Sequence, residues 1–513
     1  MPEPPSEAGD GSAYAELRER FGEISDLGRA RALLAWDERT MMPPGGAAAR
    51  AEQTATLVRV RHERLTSDDL GRLLEGLRDW SEGLEYDSNE ACMIRAALRE
   101  WEKARRVPGD LRAEIARAAS IGETAWETAR RESDYAAFVP HLERNLELAR
   151  RYAECFEGFE DVGSAYDALL DDYEPGMRTA EMRALLGRLR DGLRPLLEAV
   201  RAADQVDDAP LHGAFPVEIQ RELMRELASA LPLEPGSWRL DESTHPFSTS
   251  IGEGDVRITT RHDPAYIGAA LWSVLHEAGH GIYEAGTDPA LRRTPIGHPV
   301  SLGFHESQSR LWENWVGRGR AYIEWLHPRL AAAFPDQLGG ATAEDLFRAA
   351  NRVEPSLIRV EADELTYNLH IALRFELELE LIEGELELAE LPQAWNARMA
   401  AYLGVEVPDD ARGVLQDVHW AAGAFGYFPT YALGNLIAAQ LWELAGAEIA
   451  ELDAQVRAGE LAPLREWLGR RLYRHGAKFM PRELAERVLG GSFEVAPLVR
   501  HLEHKLGEVY RLD

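Results

Sequence analysis

The sequence predicts a mainly α-helical protein, built as one large helical unit with a small sheet near its middle. Long stretches rich in Ala, Leu, Glu and Arg repeat their apolar residues at helical spacing. Residues 238–261 depart from this pattern, with strand-like composition in place of helical spacing. No solenoid-period repeat, low-complexity segment or clear linker divides the chain. At 513 residues the length alone would allow several domains, so reading 13–513 as a single unit rests on this continuity.

Residues 1–12, MPEPPSEAGDGS, read as a loose tail. From Ala13 onward, helical periodicity is clearest over 13–38, 91–105, 109–131, 141–160 and 178–202, with a break at MMPPGG, 41–46. In the segment WRLDESTHPFSTSIGEGDVRITTR, 238–261, Ser, Thr, Ile and Val replace Ala and Leu, and Gly252 and Gly254 mark a turn. Two or three short strands are expected there, ending in the alternating DVRITTR. Helices return from about 264 to the C-terminus.

The formal net charge is −31, a surface that repels phosphate backbones and argues against nucleic-acid binding. Lysine occurs only at 103, 478 and 505, so arginine supplies nearly all the cations. Two cysteines, Cys92 and Cys155, are too few for a disulfide scaffold and fit a reducing compartment. No signal peptide or membrane span is evident, so the expected location is the cytoplasm.

Residues 276–280 read His-Glu-Ala-Gly-His. Asp263 as N-cap, Pro264 in the first turn and Gly286 as a stop place this motif on a helix. Positions i and i+4 share a helix face, so His276 and His280 can converge on one zinc ion. Glu277 between them can take a proton from the attacking water and pass it to the leaving amine. Chance produces such a motif in roughly one chain in twenty of this size, so it is not decisive alone. A catalytic zinc needs a third protein ligand. Residues 301–316, SLGFHESQSRLWENWV, read as a second helix capped by Ser301, and Glu306 there is the candidate. His298 and His305 compete for the role, whereas Glu284 lies too far along its helix from His276. Position 283 is Tyr and no third His follows at metzincin spacing, which excludes that class.

The sequence also resembles a known family, the M32 metallocarboxypeptidases, over almost its whole length. LLAWDERTMMPPGGAAARAEQ (33–53) resembles the family's opening signature. HPF (245–247), DVRITT (255–260), HEAGH (276–280), HESQSR (305–310), IRVEAD (358–363) and GVLQDVHW (413–420) resemble its characteristic motifs in order, and GAFGYFPTYALGN (423–435) also matches. The resemblance implies a helical boomerang or saddle with a deep groove and a small sheet beside it. It implies removal of single C-terminal residues from peptides, with broad preference and little tolerance for C-terminal proline. It also implies zinc (with cobalt as a substitute) and a homodimer. His276 and His280 fall on the family's metal histidines, Glu277 on its catalytic glutamate and Glu306 on its third ligand.

The oxyanion formed in peptide hydrolysis needs a donor besides the metal, and His419 and Tyr427 are the candidates, with Tyr431 competing. Recognition of a free α-carboxylate in so acidic a protein calls for a buried arginine facing the groove. Arg359 is the first choice, followed by Arg257 and Arg261 on the alternating strand. Each could instead pair with a nearby acid. His245 stands before Pro246 at a strand end and is read as a substrate-backbone contact or a support for a ligand. Asp363 and Glu284 are candidates to orient the metal histidines. Trp36 and Asp37 read as a structural contact. The alternatives to a carboxypeptidase are an endo-acting helical zinc oligopeptidase and a helical interaction protein that has lost catalysis.

Overall fold

A computed structural model describes residues 7–512, the side chains of 7–9 excepted. Among these residues the chain forms 21 α-helices and one three-stranded sheet. The helix Glu7–Thr40 takes in residues 7–12 of the stretch expected to be a loose tail, while 1–6 lie outside the described residues. The break at 41–46 is as expected. Met41 and Met42 both donate to the Asp37 carbonyl, and a 3₁₀ turn at Pro44–Gly46 leads into the helix Ala47–Leu65. The helices Asn89–Arg106, Gly109–Glu132 and Thr179–Ala202 match their expected stretches within two residues. The stretch 141–160 is instead the helix Tyr135–Glu154, started by Asp134, whose carboxylate accepts from the Ala137 N–H. No described helix is long and apolar enough to cross a membrane.

The sheet consists of β1 (Trp238–Glu242), β2 (Ser248–Gly252) and β3 (Asp255–Thr260), in the order β1-β3-β2. β1 runs parallel to β3 and β2 antiparallel to it. The β2–β3 hairpin turns at Gly254, whose φ of +69° suits glycine. Arg261 falls beyond the end of β3 and is not on its alternating face.

The motif helix spans Gly268–Ala285. It starts later than the Asp263 cap would place it, because the backbone before it is used elsewhere. Gly213 and Phe215 donate to the carbonyls of Ala265 and Pro264, and Ile267 donates to Leu211. Asp263 caps only a local turn, accepting from Ala265 N–H. At the other end Gly286 is the C-cap, as expected. This helix is squeezed between the sheet and the helix Leu302–Arg310. A Cβ on Gly281 would lie 2.5 Å from the Val256 side chain on β3, and one on Gly279 would lie 2.6 Å from the Gln308 carbonyl. Two glycines on opposite sides of one helix thus allow close approach both ways. Ser301 caps Leu302–Arg310 as expected, accepting from Phe304 N–H at 3.2 Å. The helix expected over 301–316 is not uniform, however: Leu311–Gly317 is a π-helix.

Candidate metal centre and catalytic groove

The two packed helices bring three side chains together. The Glu306 Oε2 atom lies 3.8 Å from His276 Nε2 and 3.7 Å from His280 Nε2. One ligand atom from each residue lies within 4.8 Å of the others. Bonds of about 2.1 Å to a four-coordinate cation would put donor atoms about 3.4 Å apart, so the set fits a metal with little adjustment.

Both imidazoles are also oriented for it. His276 Nδ1 is 2.9 Å from Glu313 Oε2, and His280 Nδ1 is 3.1 Å from the His305 carbonyl. With Nδ1–H donated to an oxygen in each case, each Nε2 lone pair faces Glu306. The His276 side chain is 20% exposed, so the group is open to solvent.

The sequence reading missed Glu313. It sits on the π-helix seven residues after Glu306, inside a segment that read as ordinary helix. Arg318 donates to Glu313 Oε1 at 3.0 Å and Arg310 to Oε2 at 3.4 Å. Burial opposes its charge, but the bond from His276 and the two guanidiniums hold its carboxyl well below the usual range. Arg310, in the HESQSR motif but given no role there, also donates to Glu306 Oε1 at 2.7 Å, and its guanidinium lies 4.3 Å over the Tyr367 ring.

The carboxylates expected to orient the histidines do other work. Asp363 caps a helix start, accepting from Leu365 and Thr366 N–H at 3.0 Å. Glu284 binds His305 Nε2 at 3.1 Å, and the His305 ring in turn stacks on His280 at 4.1 Å. Neither touches a metal-site imidazole directly.

Glu277 is 6% exposed, and burial raises its carboxyl to about 7. A group poised near neutrality can both take and return a proton.

The Gly- and aromatic-rich segment lies against this centre. His419 Nε2 is 3.2 Å from the Tyr431 hydroxyl, and the His419 ring packs on Phe428 and Tyr427. Burial, aided by Arg359, lowers His419 to about 3, so its imidazole is neutral. Its Nδ1 is buried without a hydrogen-bond partner. Burial raises the Tyr427 hydroxyl to about 12, and the Glu306 charge adds to this, so both groups share one electrostatic neighbourhood.

Arg359 is 4% exposed. Its Nε and Nη2 donate to Asp417 Oδ1 at 2.9 and 2.8 Å, and its Nη1 donates to the Tyr367 hydroxyl at 3.0 Å. One N–H on each Nη remains. Asp417 also accepts from the fully buried Arg374. Arg359 is thus paired with an acid, as the alternative reading allowed, but with one distant in the chain rather than a near neighbour. Arg257 is committed to the sheet. It binds Asp255 at 2.8 and 2.9 Å and lies 4.2 Å from the centre of the Trp36 ring. Trp36 thus makes the structural contact read from the sequence, and Asp37 accepts from Arg50 at 2.7 Å. His245 is exposed in the loop between β1 and β2, and among the described residues its ring makes no hydrogen bond or ion pair.

Residues 16–506 match the family model described as Carboxypeptidase Taq (M32) metallopeptidase. The chain belongs to the M32 metallopeptidase family. It is similar to Thermostable carboxypeptidase 1 of Thermus thermophilus, with 44% identity covering 97% of this chain and 99% of that protein. It is 37% identical to Carboxypeptidase 1 of Bacillus subtilis, covering 97% and 98%. Among solved structures, the M32 carboxypeptidase of Deinococcus radiodurans R1 superposes with a TM-score of 0.93 at 38% identity, covering 98% of this chain and all of that one. Trypanosoma cruzi metallocarboxypeptidase 1 gives 0.91 at 34% identity, covering 98% and 99%. The fold is thus that of M32 carboxypeptidases, and the chain is an enzyme of a metallocarboxypeptidase family. The family implies a metal ion, and among the described residues the His-His-Glu group is the set suited to hold one.

Proposed function

We propose that this M32 enzyme is a zinc metallocarboxypeptidase that releases single C-terminal residues from peptides, with broad preference and poor action on C-terminal proline. The observation that carries the metal site is the convergence of His276, His280 and Glu306, with both imidazole Nδ1 atoms already bound to oxygen acceptors. Zinc, or cobalt in its place, would polarise the scissile carbonyl and acidify a water when bound there. Glu277 takes the proton of the attacking water and delivers it to the departing amine. Tyr427 donates a hydrogen bond to the oxyanion, and the neutral His419 donates to it through Nε2–H in place of the Tyr431 hydroxyl that Nε2 meets here.

Arg359 is the preferred anchor for the substrate's terminal carboxylate. Asp417 and Tyr367 hold its guanidinium rigid while leaving N–H groups to offer. Arg257, bound to Asp255, is the weaker candidate, and exposed His245 would reach only a peptide lying along the sheet. Residues 13–513 work as one catalytic unit, a reading supported by a continuous apolar core that runs from Leu17 to Tyr510. The enzyme acts as a homodimer in the cytoplasm, a location that its two free cysteines suit.

The test is a time course of peptide digestion followed by mass spectrometry, with and without a chelator. A ladder shortening only from the C-terminus, and stopped by chelator, is expected. Equal cleavage of a peptide whose C-terminus is blocked as an amide would identify an oligopeptidase instead.

A further inference from the structure

The carboxyl group of Glu174 is buried at the start of the helix that carries Glu306. Glu174 is fully buried, and its Oε2 accepts from Gly303 N–H at 3.1 Å. Its other oxygen, Oε1, is buried without a hydrogen-bond partner. The backbone just before it joins in, since the Tyr173 carbonyl accepts from Leu302 N–H at 2.9 Å. The first N–H groups of a helix have no partner within it. Here Leu302 and Gly303 are satisfied by residues 173 and 174, and Phe304 by Ser301.

This contact is tight and anchored. A Cβ on Gly303 would lie 2.6 Å from Glu174 Oε2 and 2.9 Å from the Leu433 side chain, so the helix start is wedged between Glu174 and the helix Pro429–Glu448. The turn bearing Glu174 is itself tied down, because buried Asp171 accepts from Arg99 and Lys103 at 2.6 Å and from Gly176 N–H at 2.9 Å. The same turn also reaches the Gly- and aromatic-rich segment, where the Tyr173 ring meets the Tyr427 ring edge-on at 5.0 Å.

We propose that Glu174 is a positioning residue for Glu306, fixing the depth at which the helix Leu302–Arg310 enters the metal centre. This rests on the reading of His276, His280 and Glu306 as the metal ligands. Glu306 is only five residues beyond the Ser301 cap, so a displaced first turn moves its carboxylate directly. A shift of about 0.5 Å is enough to spoil a preorganised site. Burial raises the Glu174 carboxyl to about 8, which lets a neutral amide replace it.

The experiment is the zinc affinity of the full-length protein, measured by competition with a chromophoric chelator well below the melting temperature. Wild type, Glu174→Gln, Glu174→Asp, Glu174→Ala and Glu306→Gln are compared. Glu174→Gln keeps an acceptor for Gly303 and is expected to bind zinc within about threefold of wild type. Glu174→Asp withdraws the acceptor by one methylene and Glu174→Ala removes it, and losses of about 10–100-fold are expected, the scale of an outer-sphere ligand support. If Glu174→Ala does not fold, Glu174→Asp decides the matter. Lower thermal stability with wild-type zinc affinity in the folded variants overturns the proposal. Wild-type affinity in Glu306→Gln would instead overturn the metal-ligand reading on which it stands.

Discussion

Glu313 Oε2 lies 2.9 Å from His276 Nδ1, and this pair sets which imidazole nitrogen faces Glu306. Because Glu313 also receives Arg318 and Arg310, its charge is held in place by two cations. Glu313→Gln keeps the shape and an acceptor oxygen but removes the charge that raises the basicity of His276. It is expected to lower metal affinity about tenfold without unfolding the protein. Chelator competition measures this, and an unchanged affinity would show that His276 is oriented by packing alone.

Glu277 has the opposite signature. Glu277→Gln removes the proton carrier while leaving His276, His280 and Glu306 intact. Turnover should fall by about 10²–10⁴-fold or more while the metal content stays at one ion per chain. Elemental analysis beside a peptide assay separates the two effects. Loss of metal in this variant would reassign Glu277 to a ligand-supporting role.

For Arg359, replacement by lysine keeps the charge but loses the planar fork. The expected result is a fall of about 10–100-fold in kcat/KM on peptides with a free C-terminus, carried mainly by KM. Arg374 remains to balance Asp417. An equal loss on a substrate lacking the terminal carboxylate would mean that Arg359 shapes the groove rather than holding the peptide end.

Stability should respond to pH through Glu378, which is fully buried and accepts from Tyr166 Oη and Trp420 Nε1, both at 2.7 Å, and from Gly426 N–H. Burial raises its carboxyl from 4.5 to about 7. The folded state therefore holds a proton that the unfolded chain releases. That contribution is full below pH 4.5 and is lost as the pH rises through about 7. It amounts to roughly 1–3 kcal/mol. In Glu378→Gln the fall in melting temperature over this window should flatten relative to wild type. An unchanged slope would show that Glu378 stays ionised in the folded protein.

Local signals were legible in the sequence. The helical class, the break at 41–46, the short strands within 238–261, the Ser301 cap and the Gly286 stop each depend on residues close in the chain. Where the reading failed, distant backbone or side chains had intervened. Asp263 looked like a helix cap, but residues 211–215 claim the backbone that follows it. Glu284 and Asp363 looked like supports for the metal histidines, yet one turns to His305 and the other to its own helix start. Glu313 was hidden because a π-helix carries no strong sequence mark. For Arg359 the reading offered only nearby acids as partners, whereas Asp417 lies 58 positions away.

The sequence by itself determined that His276 and His280 share one face of a helix with Glu277 between them, because spacing along a regular helix fixes direction. It also carried the family, through motifs that need no coordinates. Only the tertiary structure decided that Glu306 reaches both imidazoles, that Glu313 and the His305 carbonyl choose their free nitrogens, and that Glu174 seats the helix start. Those relations depend on how closely separate helices pack, and that distance is set by contacts such as Gly279 against the Gln308 carbonyl, between residues far apart in the chain.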